Sequence, residues 1–456
     1  MSFDRRQILS LTPAALAAGA GTAMLASGAQ ASTSAISAAA MGVRPGRRGD
    51  QSRALQTVID TAAKTGAPVV LPSGRVRAGN VRLHSGVQLI GLPGRSVLES
   101  TGNRPILRLD NSRQVRLSGL TLDGAFRPLK TSGDDVRGGL VQARSCRDLR
   151  IEHCLLINSG GNGLTLEETG GAISGVTVQK ADKTGIFSLD AAGLEISHNV
   201  VRDCGNNGIQ VWRGTQGEDG TLVSHNRVFN IAATDGGSGE NGNGVNIFRA
   251  GAVMIDHNRI QDCAFTAVRV NAGNDCQITG NSCSRLGEVA IFVEFGFEGA
   301  VVSGNVINGA ATGISVTNFD KGGRLAVVSG NLVRNLSYRR DPADIEAGGT
   351  GIWVEADAAV SGNTVEGAPR MGLLLGWGPY LRHIAATGNV LRQCGIGIGV
   401  SSVEKPGQVL ITGNMIAGAA HGAIRGMAWT KPSTPDLLKK GTPVPAHILL
   451  QGNLVA

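Results

Sequence analysis

Aromatic and charged residues are scarce in this chain of 456 residues. Phe, Trp and Tyr make up 4% of it and charged residues 17%, whereas about 25% of residues are charged in a typical soluble protein. Glycine is abundant instead, with 67 residues, and it costs about 1 kcal/mol at an interior helical position. The glycines show no period of three, which excludes a collagen-like triple helix. The composition therefore favours short strands and many tight turns over helix bundles.

Long apolar runs are also absent after residue 31, since no run reaches the about 18 residues that span a bilayer. The net charge is +8, but basic residues occur singly or in pairs such as Arg339-Arg340, without the basic stripe of nucleic-acid-binding proteins. We expect no nucleic-acid partner and no membrane anchor in the mature protein. The positive charge fits an anionic polysaccharide, or it serves solubility alone.

Residues 1–31 have the features of an export signal. Arg5-Arg6 precedes an apolar, alanine-rich stretch, and Ala29-Gln30-Ala31 follows as a small-residue cleavage site. The arginine pair resembles the twin-arginine export signal of bacteria, although Ile8 stands where that signal usually has Phe. The alternative is an ordinary secretory signal. The resemblance implies passage through the twin-arginine export machinery to a periplasmic or secreted location.

Two short patterns alternate along the rest of the chain. In the first, Gly or Ala begins an apolar-x-apolar strand, as in Gly208-Ile-Gln-Val and Gly351-Ile-Trp-Val; in the second, Asn follows Gly or His. Successive strands of the first pattern start 21 to 25 residues apart, with two longer intervals. Repetition at such a period is typical of solenoids, and no helix-length pattern intervenes. The sequence therefore predicts an all-β fold, a single-stranded parallel β-helix over residues 50–456.

The recurring asparagine is predicted to be structural. It occurs at Asn199, Asn226, Asn258, Asn281, Asn305, Asn331, Asn363, Asn389, Asn414 and Asn453. Asn tolerates the left-handed backbone conformation, and its amide can bond the equivalent amide one coil away. We expect a ladder of asparagines at one corner, and we interpret His198, His225 and His257, which precede three of them, as turn residues rather than ligands.

The seven cysteines are expected to be mostly core thiols. Cys204, Cys263 and Cys394 each lie five residues after a ladder asparagine, where other repeats have Ile, Leu or Ala. The odd count, and folding in the reducing cytoplasm before export, argue against a disulfide framework. One disulfide, Cys276–Cys283 or Cys146–Cys154, remains an alternative.

The segment from Asp50 to Gly66 is predicted to be an amphipathic helix that caps the open apolar end of the solenoid. Asp50 is the expected N-cap and Gly66 the stop, and residues 32–49 are the expected linker. The apolar face of this helix comprises Ala54, Leu55, Val58, Ile59 and Ala62.

The opening of the mature chain carries a resemblance. The run from Ala54-Leu-Gln-Thr-Val-Ile-Asp60 through Leu71-Pro-Ser-Gly74 to Leu89-Ile-Gly91, together with the repeats, resembles the pectin-lyase-like right-handed parallel β-helix superfamily. With the export signal, it also resembles a bacterial family of twin-arginine-translocated repetitive proteins of unassigned activity. The resemblance implies a right-handed coil. It implies no activity, because the fold occurs in lyases, hydrolases, epimerases and adhesive modules.

The Gly-apolar-x-apolar strands carry the candidate binding residues. If their apolar residues point inward, the x residue and the residue after the strand stack into two outward columns. These columns are Thr165, Gln210, Asn246, Arg269, Phe292, Ser315 and Trp353, and Glu167, Trp212, Phe248, Asn271, Glu294, Thr317 and Glu355. Sugars stack on flat apolar rings, so the columns and the adjoining insertions predict a long sugar-binding groove. The substrate-binding candidates are Trp212, Arg213, Phe248, Arg249, Asn271, Phe292, Trp353 and Trp377.

Elimination at a uronide or epimerisation at its C5 needs a base for the C5 proton and a cation for the carboxylate enolate. Arg269 with Glu294 is one candidate pair, and Arg213 and Arg249 facing Asp190 are another. Ca²⁺ held by carboxylates is an optional cofactor, although no set of metal ligands is predicted.

Hydrolysis needs two carboxylates about 5–10 Å apart. Glu294 and Glu355 are separated by two coils, which gives roughly 10 Å at about 4.8 Å per coil. Of the polygalacturonase-like hydrolase signatures only Asp134-Asp135 is present, and the Asp-Pro-His-Asp signature of alginate epimerases is missing. Gly236-Gly-Ser-Gly-Glu240 is similar to a calcium nonapeptide repeat but occurs once. The catalytic candidates are therefore Arg269, Glu294 and Glu355.

These observations predict an exported, monomeric protein that binds or processes an anionic polysaccharide, with lyase or epimerase chemistry ranked above hydrolysis if it is catalytic. The outward aromatic residues, Arg269 and Glu294 favour this function. The missing family signatures favour the alternative, a non-catalytic solenoid for envelope structure or protein contact.

Overall fold

Three long sheets wrap around one narrow core. The computed structural model describes residues 34–129, 138–339, 348–403 and 406–456, so the predicted export signal and Asp134-Asp135 lie outside the described residues. Within these ranges, each strand apart from those at the two ends of the solenoid pairs with the strand three positions further along the chain, as a coil with three strands per turn requires. The all-β parallel solenoid predicted from the repeats is confirmed.

The three sheets are called faces 1, 2 and 3, and their described strands number 16, 15 and 15. The strands of face 1 are Ile36–Ser37, Val69–Val70, Gln88–Ile90, Arg116–Ser118, Leu149–Glu152, Gly171–Ser174, Leu194–Ser197, Leu222–Ser224, Met254–Asp256, Cys276–Thr279, Glu298–Ser303, Arg324–Ser329, Ala356–Ser361, Arg382–Thr387, Val409–Thr412 and Ile448–Gln451.

Face 2 contains the Gly-apolar-x-apolar strands. Its strands are Val81–Leu83, Leu107–Asp110, Gly139–Arg144, Asn162–Glu167, Thr184–Leu189, Asn207–Glu218, Asn243–Gly251, Val268–Asn271, Val289–Glu294, Thr312–Val316, Thr350–Val354, Met371–Leu375, Ile396–Ser401, Ile424–Ala428 and Lys431–Asp436. The last of these pairs antiparallel with the strand before it.

Face 3 carries the strands that follow the ladder asparagines. They are Gly74–Arg77, Ser96–Glu99, Thr121–Asp123, Leu155–Ser159, Thr177–Ala181, Val200–Cys204, Arg227–Ile231, Arg259–Cys263, Ser282–Leu286, Val306–Asn308, Leu332–Arg334, Thr364–Glu366, Val390–Arg392, Met415–Ala417 and Leu454–Val455.

The core is built from the apolar residues that alternate along each strand. Ile209 and Val211 point inward with no exposed surface, and the register places Val245 and Ile247 on them in the next coil. Such inward residues form one continuous cluster along the described coils. Since each buried Val, Leu or Ile contributes about 1.5–3 kcal/mol, stacking of the coils provides the burial that one repeat lacks.

The helix Ser52–Thr65 lies at the start of the solenoid and buries Leu55, Val58, Ile59 and Ala62, as predicted. It ends at Gly66, whose φ of 71° is left-handed. The predicted N-cap is wrong by one residue, because Gln51 occupies that position. Asp50 instead accepts a hydrogen bond from the Ser52 N–H at 2.8 Å.

The predicted linker, residues 32–49, contributes to the solenoid within its described part. Ile36–Ser37 pairs in parallel with Val69–Val70, and Ala38 and Val43 are fully buried in the core. A short 3₁₀ helix, Phe319–Lys321, follows a face 2 strand. No helix among the described residues has the length and hydropathy to cross a membrane.

The asparagine ladder is confirmed. The Asn281 amide Nδ2 donates to Asn305 Oδ1 at 3.0 Å and to the Ile255 carbonyl at 2.9 Å, and its Oδ1 accepts from the Asn258 amide at 3.0 Å. The same bonds repeat from Asn199 to Asn453. The left-handed conformation belongs not to the asparagine but to the residue before it, as at His257 and Gly280, which explains why Gly or His precedes each ladder residue.

The proposed disulfides are wrong. All seven cysteines are free and buried, and burial of Cys204, Cys263 and Cys394 is as the recurring Cys, Ile, Leu or Ala position predicts. Burial raises the pKa of Cys154 to about 11 and that of Cys204 to about 12.

Candidate functional site

The predicted outward columns exist on face 2. Asn246 pairs with Arg269, Arg269 with Phe292, and Ser315 with Trp353, while Asn271 pairs with Glu294 in the second column. The first column also contains residues that the prediction left out. Phe187 lies between Thr165 and Gln210, and Arg82 and Arg108 lie on earlier coils of the same column. The period-2 pattern contained these residues, but their strands lack the full Gly-apolar-x-apolar motif.

The columns do not form the long open groove that the sequence predicts, because the insertion at 232–242 lies over them. Its carbonyl oxygens at Ser238 and Gly239 accept hydrogen bonds from Arg269 at 2.7 Å and from Asn246 at 3.0 Å. Only 7% of the surface of Arg269 and 2% of that of Asn246 is exposed to solvent. An outward direction on this face therefore does not mean contact with solvent.

Arg269 and Glu294 form a buried ion pair. Arg269 Nε and Nη2 donate to the two carboxylate oxygens of Glu294 at 2.6 and 2.9 Å, and Asn271 donates to the same carboxylate at 3.1 Å. The guanidinium also lies 4.8 Å from the centre of the Phe292 ring. With all these contacts, Glu294 is held as an ion-pair partner rather than presented as a free base.

Beside this pair a cleft of about 620 Å³ opens on face 2. It brings together six of the predicted site residues. They are Arg269, Phe292, Glu294, Trp353, Glu355 and Trp377. The other described lining residues are Ser238, Phe265, Glu288, Val289, Phe295, Thr312, Ser315, Thr317, Asn318, Asp320, Arg339 and Tyr380.

Glu355 differs from Glu294 in having no cationic partner among the described residues. Its Oε2 accepts the Phe319 backbone N–H at 2.8 Å, and only 4% of the residue is exposed. Burial, with a smaller contribution from the negative charge of Asp320, raises the pKa of Glu355 to about 7. A carboxyl group with such a pKa can donate or accept a proton near neutral pH.

Aromatic side chains form the wall of the cleft next to Glu355. The Trp353 and Trp377 ring centres are 5.4 Å apart, and Trp377 contacts Trp429 at 5.2 Å. The Trp353 indole nitrogen has no hydrogen-bond partner among the described residues. Because this nitrogen is itself buried, the surface that the wall offers to a sugar ring is the flat apolar faces of the indoles.

The charges in the cleft are not those of a cationic site. Arg339 Nη1 donates to Glu288 Oε1 at 2.9 Å, and Arg269 is held by Glu294. The described lining carries two arginines against four acidic residues, which are Glu288, Glu294, Asp320 and Glu355. With both of these cations paired, the described lining of the cleft offers no free guanidinium to a substrate carboxylate.

Five predicted substrate-binding residues lie outside the cleft lining. Trp212 donates to Asn246 Oδ1 at 2.9 Å and packs between Phe187 and Phe248, with ring centres 5.8 and 5.6 Å away. Asn271 orients Glu294. The remaining two are Arg213 and Arg249, described next.

Arg213 and Arg249 form no ion pair with Asp190 among the described residues, and all three side chains bond backbone groups instead. Arg249 donates to the Gly214 carbonyl at 3.0 Å, Arg213 to the Thr215 carbonyl at 3.3 Å, and Asp190 accepts the Gly214 N–H at 3.0 Å. These contacts accompany the register shift between Trp212 and Gly217 inside the long strand Asn207–Glu218.

Three cleft residues escaped the sequence analysis. Glu288 and Phe265 lie in turns that lead into face 2 strands, and Arg339 lies in an insertion whose residues 340–347 are outside the described ranges. Phe265 and Glu288 hold equivalent positions of neighbouring coils, since the Glu288 N–H donates to the Phe265 carbonyl. The residue type changes from coil to coil at this position, so the repeats carried no signal for it. Among the described residues, no group of three or more His, Cys, Asp or Glu side chains is arranged to hold a metal ion.

Comparison with known proteins agrees with this architecture. The family model described as "Right handed beta helix region" matches residues 130–228, 173–322 and 215–391. These overlapping matches together cover more than half of the chain. No curated protein matches.

Several solved structures are similar over most of the chain. The A-module of mannuronan C-5 epimerase AlgE6 from Azotobacter vinelandii is 17% identical, with a TM-score of 0.54 over 84% of this chain and 98% of that one. The N-terminal fragment of gene product 12 from bacteriophage phi29 is 15% identical, with a TM-score of 0.55 over 92% of this chain and 70% of that one. PfbA, a surface adhesin of Streptococcus pneumoniae, is 14% identical, with a TM-score of 0.50 over 91% of this chain and 99% of that one. At these identities the likeness shows the fold alone.

Proposed function

The chain belongs to the right-handed β-helix family, and from this premise we propose that its face 2 cleft binds a polysaccharide and transfers a proton to it through Glu355. The observation that carries the proposal is the position of this buried carboxyl group, without a cationic partner, beside Trp353 and Trp377 in one cleft. The aromatic wall supplies the binding surface, and Glu355 supplies the acid or base.

Hydrolysis of a glycosidic bond suits the cleft better than elimination or epimerisation, which the sequence ranked first. Both of those reactions need a cation to stabilise a carboxylate enolate, and Arg269 and Arg339 are each engaged by a glutamate. Hydrolysis needs an acid and a second carboxylate in a different environment. Glu355, protonated below a pH of about 7, would be the acid, and Asp320, which lines the same cleft, the second carboxylate.

The remaining expectations complete the proposal. We place the mature protein in the periplasm or outside the cell after twin-arginine export, as a monomer, with Ca²⁺ as an optional cofactor. An anionic polysaccharide remains the proposed partner. The alternative function is a non-catalytic envelope solenoid, in which the cleft would bind without turnover.

The test uses the chain from Ser32 on pectate, alginate, glycosaminoglycans and neutral glucans. New reducing ends without ultraviolet absorbance of unsaturated uronate report hydrolysis, both signals together report elimination, and exchange of the C5 proton with deuterated solvent without chain cleavage reports epimerisation. We expect new reducing ends on one polymer, with a rate that falls as pH rises above about 7 because the acid form of Glu355 is lost.

Glu355→Gln should lower that rate by about 10²-fold or more, while the matched control Glu195→Gln, an exposed glutamate on face 1, should leave it unchanged. An active Glu355→Gln would refute the role of Glu355. Unsaturated uronate formed together with the reducing ends, or C5 exchange without any new reducing ends, would overturn the hydrolytic assignment. Binding without turnover would favour the alternative function, and no binding to any polymer would reject the carbohydrate proposal.

A further inference from the structure

Arginines are stacked on the first coils of face 2, far from the cleft. Arg82 and Arg108 are directly opposite each other on neighbouring strands, and both side chains are exposed. Like charges in this arrangement destabilise a sheet. The Val268–Asn271 strand that carries Arg269 lies six strands beyond Leu107–Asp110, which is about 29 Å at the usual strand spacing. The two regions are therefore separate sites.

A groove of about 400 Å³ runs over these arginines. Its described lining is Asn80, Arg82, Arg108, Asp110, Asn111 and Arg144. Arg108 pairs with Asp110 at 2.8 Å, and Arg144 with Glu167 at 3.2 Å. Arg82 has no carboxylate in ion-pair contact among the described residues. With Arg108 and Arg144 each paired to one carboxylate, the charge of Arg82 leaves this groove positive overall, unlike the cleft.

A second groove of about 400 Å³ continues from Asn111, which borders both. Arg113 and Arg147 line it and are joined by a parallel bridge of their backbones in the turn towards face 1. Neither arginine has an ion-pair partner within the part of the chain that the structure describes. At the far end of this groove lie Glu168 and Asp190, so the positive charge is confined to the first coils.

We infer that Arg82, Arg108, Arg113, Arg144 and Arg147 form a binding site for the carboxylate or sulfate groups of a polysaccharide. Guanidinium groups bind such oxyanions through paired hydrogen bonds, and Asn80 and Asn111 supply amide donors beside them. An anion between Arg82 and Arg108 would also remove the repulsion between them. The inference rests on the proposed function only in naming a polysaccharide as the ligand.

The chain provides a matched control on face 3. Arg227 and Arg259 are also directly opposite each other on neighbouring strands and exposed. The double variants Arg82→Gln/Arg108→Gln and Arg227→Gln/Arg259→Gln therefore remove equal charge from equivalent positions. Thermal unfolding of both variants is measured first, so that binding is compared between folded proteins.

Calorimetric binding at low salt uses four probes, which are polygalacturonate for carboxylate, heparin for sulfate, neutral dextran and duplex DNA. We expect polygalacturonate or heparin to bind, whichever carries the preferred anion, and dextran not to bind there. Arg82→Gln/Arg108→Gln should weaken that binding about tenfold or more, and the control variant should not. Equal weakening in both variants, or none in either, would overturn the site, and DNA binding as tight as that of the polysaccharides would replace the ligand class.

Glu355→Gln separates this inference from the proposed function. It should keep the polyanion binding of the first coils even though it abolishes turnover in the cleft. If polyanion binding is lost in Glu355→Gln but kept in Arg82→Gln/Arg108→Gln, the anion site is the cleft and the inference is wrong.

Discussion

Two glutamates at equivalent positions of face 2 have opposite surroundings. Glu294 is neutralised by Arg269, whereas Glu355, two coils later in the same column, faces a backbone N–H and the like charge of Asp320. A buried carboxyl without a cation holds its proton more tightly. The same burial that prepares Glu355 for proton transfer therefore makes its ionised form costly to the fold.

This cost predicts a pH dependence of stability. The pKa of Glu355 rises from 4.5 to about 7 on folding, so below pH 4.5 the group is protonated in both states and carries no penalty. Between these values the unfolded chain loses the proton first, and stability falls as pH rises. Glu355→Gln should therefore be more stable than the natural chain by about 3 kcal/mol at about pH 8, with the difference vanishing below about pH 4.5.

Urea unfolding at several pH values measures this difference. Glu195→Gln, which changes an exposed carboxylate, should show no such trend. A constant difference across pH for Glu355→Gln would contradict the raised pKa.

Removing one charge of the Arg269–Glu294 pair should destabilise the fold, whereas Glu355→Gln should stabilise it, because the two charges of the pair compensate each other. Arg269→Met leaves the carboxylate of Glu294 buried and uncompensated, and the loss should be about 3–5 kcal/mol. Denaturant unfolding of Arg269→Met, Glu294→Gln and the double variant measures it. The double variant should recover part of the loss. Additive losses would show that the two residues do not depend on each other.

The candidate site was only partly predictable at this scale. Period-2 alternation was enough to place Arg269, Phe292, Glu294, Trp353 and Glu355 on one face, because strand geometry alone decides which side a residue takes. It could not predict burial under the insertion at 232–242, since that cover depends on carbonyl contacts of a segment without periodicity.

Replacing one asparagine of the ladder should cost much of the free energy of unfolding for the few atoms removed, because one amide makes several buried hydrogen bonds. Asn281→Ala removes the amide bonds to Ile255 and Asn305 and leaves the buried Asn258 N–H and amide without their acceptor. At about 1–3 kcal/mol for each buried group left unpaired, we expect a loss of about 3 kcal/mol or more. Asn453→Ala, at the last position of the described ladder and more exposed, is the matched control with a smaller loss.

Denaturant midpoints of the two variants test this expectation, and equal midpoints would contradict a cooperative ladder. The sequence predicted the ladder because one residue type recurs at each coil. It misplaced the left-handed residue, because a one-residue shift between His257 and Asn258 leaves the repeat spacing unchanged.

At the scale of the whole molecule, face 2 divides into regions of different charge. Five arginines occupy the first coils, and Arg82, Arg113 and Arg147 among them form no ion pair with a described residue, whereas the later coils hold an acidic, aromatic cleft. The repeats were enough to predict the solenoid, because stacking of coils requires only periodic apolar positions. They could not predict the separation of charge along it, since outward residues differ from coil to coil without affecting the core.

The core itself predicts how the molecule responds to reductant and thiol reagents. All seven cysteines are free and buried, and buried thiols react slowly because burial opposes formation of the thiolate. We expect no labelling of the native protein, labelling of all seven after unfolding, and an unfolding temperature unaffected by reductant. Ser282→Cys, at an exposed position next to buried Cys283, should be labelled in the native state and serves as the control. Fewer than seven reactive thiols in the unfolded chain, or a lower unfolding temperature in reductant, would indicate a disulfide and contradict the seven free cysteines.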